Sequence, residues 1–249
     1  MQLENKVAII TGAAGGLGRA FAVAFAEAGA AVVCADVNWD GVVESAEIIT
    51  NAGGKAIATL TDVTDADSTN ALAQQTIEQF GQIDILVNNA AIYAGIERKP
   101  FWEIDDTTWE RVMAVNVKGI WQMSKSAAPQ MFEHGGKIIN IASATFYSGS
   151  PGWLHYVASK GASIGMTRSM ARELGDYGVT VNAIAPGFTL TEASLGIVEN
   201  AASYGINRGA LKRASQADDM IGTALYLASS ASDFVTGQTI VVDGGRQFN

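Results

Sequence analysis

Cysteine occurs once in the 249 residues, at Cys34, so no internal disulfide is possible. Its surroundings, Ala31 to Ala35, form a short apolar run that reads as a buried strand, which makes Cys34 a small core residue rather than a nucleophile. Histidine occurs only at His134 and His155, and with a single buried cysteine this leaves no clustered metal site, so no metal is expected. Basic residues are scarce as well. Sixteen Lys and Arg against 25 Asp and Glu give a formal net charge of -9, which argues against nucleic acid and against an anionic membrane as partners. No apolar run approaches the roughly 20 residues of a membrane span. The first six residues, Met1 to Lys6, lack the basic-then-apolar layout of a signal peptide. These absences predict a soluble, cytoplasmic protein.

What the chain does have is apolar content, 48%, arranged in alternating periods. Lys6–Thr11, Ala31–Ala35, Lys55–Leu60, Ile83–Val87, Lys137–Ala142, Val179–Ala185 and Thr239–Val242 are short Val- and Ile-rich runs suited to buried parallel strands. Between them Gly16–Ala28, Val42–Ala52, Ala66–Phe80, Thr107–Phe132, Leu154–Gly175 and Ala217–Ala228 read as helices, several closed by glycine. Strand and helix alternate about every 25 residues in the first half, the signature of repeated right-handed βαβ units. With no linker, repeat or low-complexity tract, the expectation is one doubly wound α/β domain over residues 1–249. Residues 189–213 have weaker periodicity and scattered glycines, and read as a partly helical excursion that closes over a substrate.

The turn after the first strand is the first chemical signal. Thr11-Gly12-Ala13-Ala14-Gly15-Gly16-Leu17-Gly18 puts four glycines in seven positions, more than a plain strand–helix turn needs. Glycine there lets the backbone approach a pyrophosphate, and the helix N-terminus supplies free N–H groups. Asp36 ends the second strand, eighteen residues past Gly18. A carboxylate at that place accepts hydrogen bonds from adenosine ribose hydroxyls. It also repels a 2′-phosphate, by about 4 kcal/mol at about 4 Å before screening. Val37, Asn38, Trp39 and Asp40 offer no cation to offset that, so the sequence favours NAD over NADP. Further on, Tyr156 and Lys160 stand four residues apart on a helix, hence on one face. A phenol with a fixed cation beside it is a candidate for moving a proton near neutral pH.

Together these motifs resemble the short-chain dehydrogenase/reductase family, over essentially the whole chain. The glycine turn is similar to T-G-x-x-x-G-x-G, and Asn88-Asn89-Ala90-Ala91 to N-N-A-G, with Ala91 in place of glycine. Asn116, Ser143, the Y-x-x-x-K of Tyr156 and Lys160, and Pro186-Gly187 ahead of Thr189 and Thr191 follow in the family's order. The resemblance implies that Tyr156 is the general acid/base and that Lys160 lowers its pKa and holds the nicotinamide ribose. It makes Ser143 a hydrogen-bond donor to the substrate oxygen, and Asn116 the holder of a water leading protons to solvent. Cofactor contacts are implied for Gly12, Gly15, Gly16, Leu17, Gly18, Asp36, Asp62, Val63, Asn89, Ala90, Ala91, Tyr156, Lys160, Pro186, Gly187, Thr189 and Thr191.

The same resemblance places Tyr93, Thr145, Phe146, Tyr147, Trp153, Leu154 and Phe188 beside the substrate, with Ser143. That set is aromatic and uncharged, which implies a secondary alcohol or ketone with a bulky apolar or aromatic substituent. Asn207, Arg208 and Lys212 are available to a polar tail or to solvent. A 3-oxoacyl-(acyl-carrier-protein) reductase is the alternative reading, weakened by Asp36 and by an acidic surface where an acidic carrier needs basic docking. A dinucleotide-binding protein without catalysis is a second alternative. The family implies a homotetramer, with Gly161, Ala162, Gly165 and Ala171 permitting close helix packing. Gly161-Ala162-Ser163-Ile164-Gly165 also fits a hydrolase nucleophile elbow, but it lies within a helix and both histidines precede it. Asp105-Asp106 and Asp218-Asp219 read as helix caps and dipole partners.

Overall fold

The computed structural model describes residues 2–195 and 200–248; residues 196–199 of the expected covering segment, with Met1 and Asn249, lie outside the described residues. The elements run β1 (Val7–Thr11), α1 (Gly16–Glu27), β2 (Ala31–Asp36), α2 (Trp39–Asn51), β3 (Lys55–Leu60), α3 (Ala66–Phe80) and β4 (Ile85–Asn88). They continue with α4 (Asp106–Met113), α5 (Gly119–Ala127), β5 (Gly136–Ile141), α6 (Thr145–Ser148), α7 (Leu154–Leu174) and β6 (Val179–Pro186). The last are β7 (Thr189–Leu190), α8 (Glu192–Leu195), β8 (Ser215–Gln216), α9 (Asp218–Ala228) and β9 (Thr239–Val242).

Seven strands form one parallel sheet in the order β3-β2-β1-β4-β5-β6-β9, with helices on both faces, a Rossmann-type architecture. Burial on both faces explains the unbroken apolar runs: every residue of β1 and β6 is buried. Alternate side chains serve two cores. Ile10, Val87, Ile139 and Ile184 pack with Phe21 and Phe25 of α1 and Met220 of α9. Their neighbours Ile9, Leu86, Ile138 and Val181 pack with Leu72 of α3 and Met123 of α5.

Strand order reverses between β1 and β4, so the C-terminal ends of these two strands open a crevice. The crevice is locked by side chains. Asn89 Nδ2 donates to the Thr11 and Gly12 carbonyls at 3.0 and 3.1 Å, and Thr11 Oγ1 accepts from the Asn89 and Ala90 N–H groups. Behind it a buried polar string, Ser124–Asn88–Asn140–Thr167, ties α5, β4, β5 and α7 together. That string fixes α7, which carries Tyr156 and Lys160, against the sheet.

The single helix expected over 107–132 is not continuous. A π-type turn, Ala114–Lys118, separates α4 from α5, and a 3-10 turn, Ala128–Met131, follows at Pro129. The cause of the π-turn is local: the Asn116 amide accepts from Ile92 N–H at 2.7 Å and donates to the Ile92 carbonyl at 3.1 Å, anchoring the helix to the strand-end loop. Asp105 caps α4 through Thr108 N–H, as expected. Asp219 does not cap α9, because it is held by Arg213 and by Gln216 N–H. Ser163 lies inside α7 with its hydroxyl on the Lys160 carbonyl, which removes the nucleophile-elbow reading. No helix among the described residues is long and apolar enough to cross a membrane.

Candidate active site

One cleft of about 370 Å³ runs from the glycine turn to the N-terminal end of α7. At the turn end, two kinds of glycine are distinguishable by what a Cβ would meet. At Gly12, which has φ +68°, it would press on the Ala90 backbone, and at Gly18 it would overlap the Gly12 carbonyl. These two glycines are required by the fold. At Gly15 and Gly16 it would meet nothing closer than Glu192 at 4.0 Å and Thr191 at 3.7 Å, so it would point into the cleft, although Gly16, with φ +54°, also answers a backbone demand. The first turn of α1 has no acidic residue and no side-chain cap, leaving backbone N–H groups for an anion. Asp36 closes this end. Its oxygens accept from Ala14 and Asn38 N–H at 3.1 and 3.0 Å, which orients the carboxylate along the wall. Arg19, which bonds the same turn at Ala14, is committed to Glu44 and to the Ala14 and Gly41 carbonyls.

At the other end, β5 delivers Ser143 and α7 delivers Tyr156 and Lys160. Ser143 Oγ accepts from Thr145 N–H and Oγ1 at 3.2 and 2.9 Å, and it lines the cleft together with Tyr156. Lys160 Nζ donates to the Ile141 carbonyl at 2.8 Å and lies 5.5 Å from the centre of the Tyr156 ring. All three are buried. Burial pushes the Lys160 ammonium down to about 8. It pushes the Tyr156 phenol up, with Tyr93 adding to the rise and Ser143 opposing it. The depressed phenol implied by the resemblance is therefore not produced by the protein's own atoms: desolvation outweighs an ammonium aimed at Ile141. Asn116 is buried with both amide ends taken, by Ile92 and by Ser159 Oγ at 3.1 Å.

The remaining sequence-derived residues divide. Gly12, Gly15, Gly16, Leu17, Asn89, Ala91, Pro186, Gly187, Thr189 and Thr191 line the cleft with Asp36. Gly18 and Ala90 lie just behind it. Asp62 and Val63 do not line it: Asp62 is exposed and bonds Thr64, and Val63 packs against Gly119. Tyr93, Thr145, Trp153 and Phe188 line the substrate end. Phe146 and Tyr147 are corrected: α6 turns Phe146 onto Gly161 of α7, half-exposed, and Tyr147 into a small core with Ile164. Leu154 is exposed off the cleft. Asn207 and Arg208 are exposed off the cleft too, and Lys212 bonds the Asn207 and Gly209 carbonyls of its own segment.

The cleft wall is also not uncharged. Arg98, Tyr204, Arg246 and Glu192 line it; Glu192 and Tyr204 fall within the expected 189–213 cover, while Arg98 and Arg246 are not among the residues the sequence pointed to. Arg98 lies seven residues past Ala91 and Arg246 directly follows Gly244-Gly245, so only those flanking motifs hinted at them.

Comparison with known proteins agrees with this geometry. A family model described as enoyl-(acyl carrier protein) reductase matches residues 12–247. The chain belongs to the short-chain dehydrogenase/reductase family. It is 40% identical over 247 residues to 2-dehydro-3-deoxy-D-gluconate 5-dehydrogenase of Dickeya dadantii, covering 98% of this chain and 96% of that protein. It is 37% identical over 250 residues to a 3-oxoacyl-(acyl-carrier-protein) reductase of Thermotoga maritima, covering 98% and 99%. Among solved structures, a 3-ketoacyl-(acyl-carrier-protein) reductase from Brucella melitensis, complexed with NADH, superposes with a TM-score of 0.91 at 30% identity, covering 99% of this chain and all of that one. As a short-chain dehydrogenase/reductase the protein is an oxidoreductase, and its relatives act on substrates of different classes.

Proposed function

We propose that this protein is an NAD-dependent dehydrogenase/reductase that moves a hydride between NAD(H) and a secondary alcohol or its ketone, the substrate carrying a bulky apolar or aromatic group. The observation that carries the reading is one cleft with glycine-turn N–H groups and Asp36 at one end and Ser143, Tyr156 and Lys160 at the other. The residues present fit the cofactor: Gly15 and Gly16 leave a cradle that a Cβ would fill, and Asp36 suits a free ribose 2′-hydroxyl. NAD supplies the two-electron carrier when bound.

The chain's own residues handle the proton. In the reducing direction Tyr156 gives its phenolic proton to the substrate oxygen, and in the oxidising direction it takes that proton back. Ser143 donates a hydrogen bond to the same oxygen and stabilises the charge that develops there. Lys160, one helical turn along, holds positive charge beside the phenol and reaches the ribose. Asn116 is a positioning residue whose oxygen keeps one lone pair for a water on the proton route from Lys160 outward. The described residues of the 189–213 segment form the cover, and the protein works as a homotetramer.

A screen of ketones and alcohols followed by NADH absorbance tests the reading. Turnover with NADH should exceed that with NADPH by well over tenfold, since about 4 kcal/mol of repulsion faces a 2′-phosphate before screening; equal rates with the two would overturn the cofactor assignment. The alternative, 3-oxoacyl-(acyl-carrier-protein) reduction, is favoured by the names of the Thermotoga and Brucella relatives. It predicts that a 3-oxoacyl thioester is turned over faster than any free ketone in the same screen.

A further inference from the structure

Two guanidinium groups face the substrate end of the cleft and take no part in proton handling. Arg98 comes from the loop between β4 and α4, and Arg246 from the tail after β9. Arg98 lies 4.3 Å over the Trp153 ring, which packs edge-on against Tyr156 at 5.5 Å. Arg246 lies 5.4 Å from the Tyr204 ring, which packs on Phe188 at 4.7 Å. One aromatic path thus leads from the reactive phenol to a cation, and a second ring pair on the cleft wall ends in another.

Among the described residues neither arginine has a carboxylate within ion-pair distance, although the chain carries a formal net charge of -9 and pairs Arg19 and Arg213 with acids elsewhere. Both guanidinium groups instead lie near the Tyr204 phenol. Burial raises that phenol, and the two guanidinium groups outweigh it, holding Tyr204 below its ordinary value. Arg246 is further seated on Gly205, where φ is +74° and any Cβ would collide with its Nη1 at 2.5 Å. The carboxylate of Glu192 also lines the cleft, but beside Gly15 at the turn end. Two like charges lining one cleft beside one phenol repel each other until an anion joins them. The phosphates of a dinucleotide belong at the opposite end, on the glycine turn.

We propose that Arg98 and Arg246 bind a carboxylate carried by the substrate, which makes the substrate an oxo or hydroxy acid with an aromatic or bulky apolar body. Planar guanidinium forks match a carboxylate with two parallel hydrogen bonds, and the rings of Tyr93, Trp153 and Phe188 receive the body. The assignment rests on the hydride-transfer reading for which end of the cleft holds substrate.

Isothermal titration of the NADH-loaded protein with 4-oxo-4-phenylbutanoate, its methyl ester and the phosphonate of the same body tests it. The acid should bind at least about tenfold tighter than the ester, with the preference nearly lost in R98Q/R246Q and partly kept in R98K/R246K. Equal affinities for acid and ester, a preference that survives R98Q/R246Q, tighter binding of the phosphonate, or no binding by any of the three would overturn it. The acid–ester comparison in the unaltered protein stands even if a variant fails to fold. NADH consumption is read separately. Acid preference without turnover of any ketone would leave the carboxylate site standing and remove the hydride-transfer reading; turnover without acid preference would do the reverse.

Discussion

The two ends of the cleft are built from different materials. The turn end is backbone: free N–H groups of α1, Gly12 in a left-handed conformation, and carbonyls held by Asn89, all within a short stretch of sequence plus one strand end. The substrate end is side chain: Arg98, Trp153, Tyr204 and Arg246 arrive from four separated segments and meet only because the sheet brings their loops to one edge. A backbone site tolerates little change at the residues that shape it, whereas a side-chain site is rewritten one residue at a time. That difference suits a family whose relatives carry names of different substrate classes.

The largest expected effect lies where the two ends meet. Tyr156→Phe should lower turnover by about 10³-fold or more while NADH affinity, read by fluorescence titration, stays near its original value; substantial residual turnover would remove Tyr156 from the proton step. Within the turn, Gly18→Ala and Gly15→Ala should part company. The first forces a Cβ onto the Gly12 carbonyl and should abolish soluble, folded protein by circular dichroism. The second should fold normally and lose about tenfold or more in NADH affinity, because its methyl enters the cradle. If both variants fold and bind alike, the division between fold glycines and ligand glycines fails.

The smallest effect is on stability. Lys160 titrates at about 8 when buried against an ordinary 10.5, so the folded state is penalised in full below pH 8. Between those values the unfolded chain holds the proton that the native chain has released, so stability rises with pH across that window. A shift of this size corresponds to about 3 kcal/mol, less about 1 kcal/mol for the lost hydrogen bond to Ile141. Lys160→Met should therefore melt higher at pH 7, on the order of 5 °C, with loss of activity. The gain should vanish above about pH 10.5 in calorimetry. An equal gain at every pH would trace it to packing instead of charge.

Much of this was legible in the sequence for the reason the comparison suggests. Strand runs, the glycine turn, Asp36 and the Tyr156–Lys160 spacing are local patterns, and local patterns survive in a linear text. Arg98 and Arg246 carry no pattern: each is an ordinary surface-type residue until folding removes its acidic neighbours and supplies Tyr204. Phe146 and Tyr147 misled for the converse reason, since adjacency to Ser143 along the chain says nothing about which way the short helix α6 turns. Desolvation of Tyr156 and Lys160 is a property of the packed interior and has no sequence signature.

The π-turn at Asn116 has one more consequence, in helical phase. A turn with an extra residue shifts every later side chain by about 100° around the axis. Val112, before it, faces the small cluster with Trp153 and Tyr156, while Met123 and Ala127, after it, face the sheet. One rod thereby presents two unaligned stripes, one to the reaction chamber and one to the main core. Deleting a single residue from Ala114–Lys118 would bring those stripes into line and leave one of the two cores without its wall.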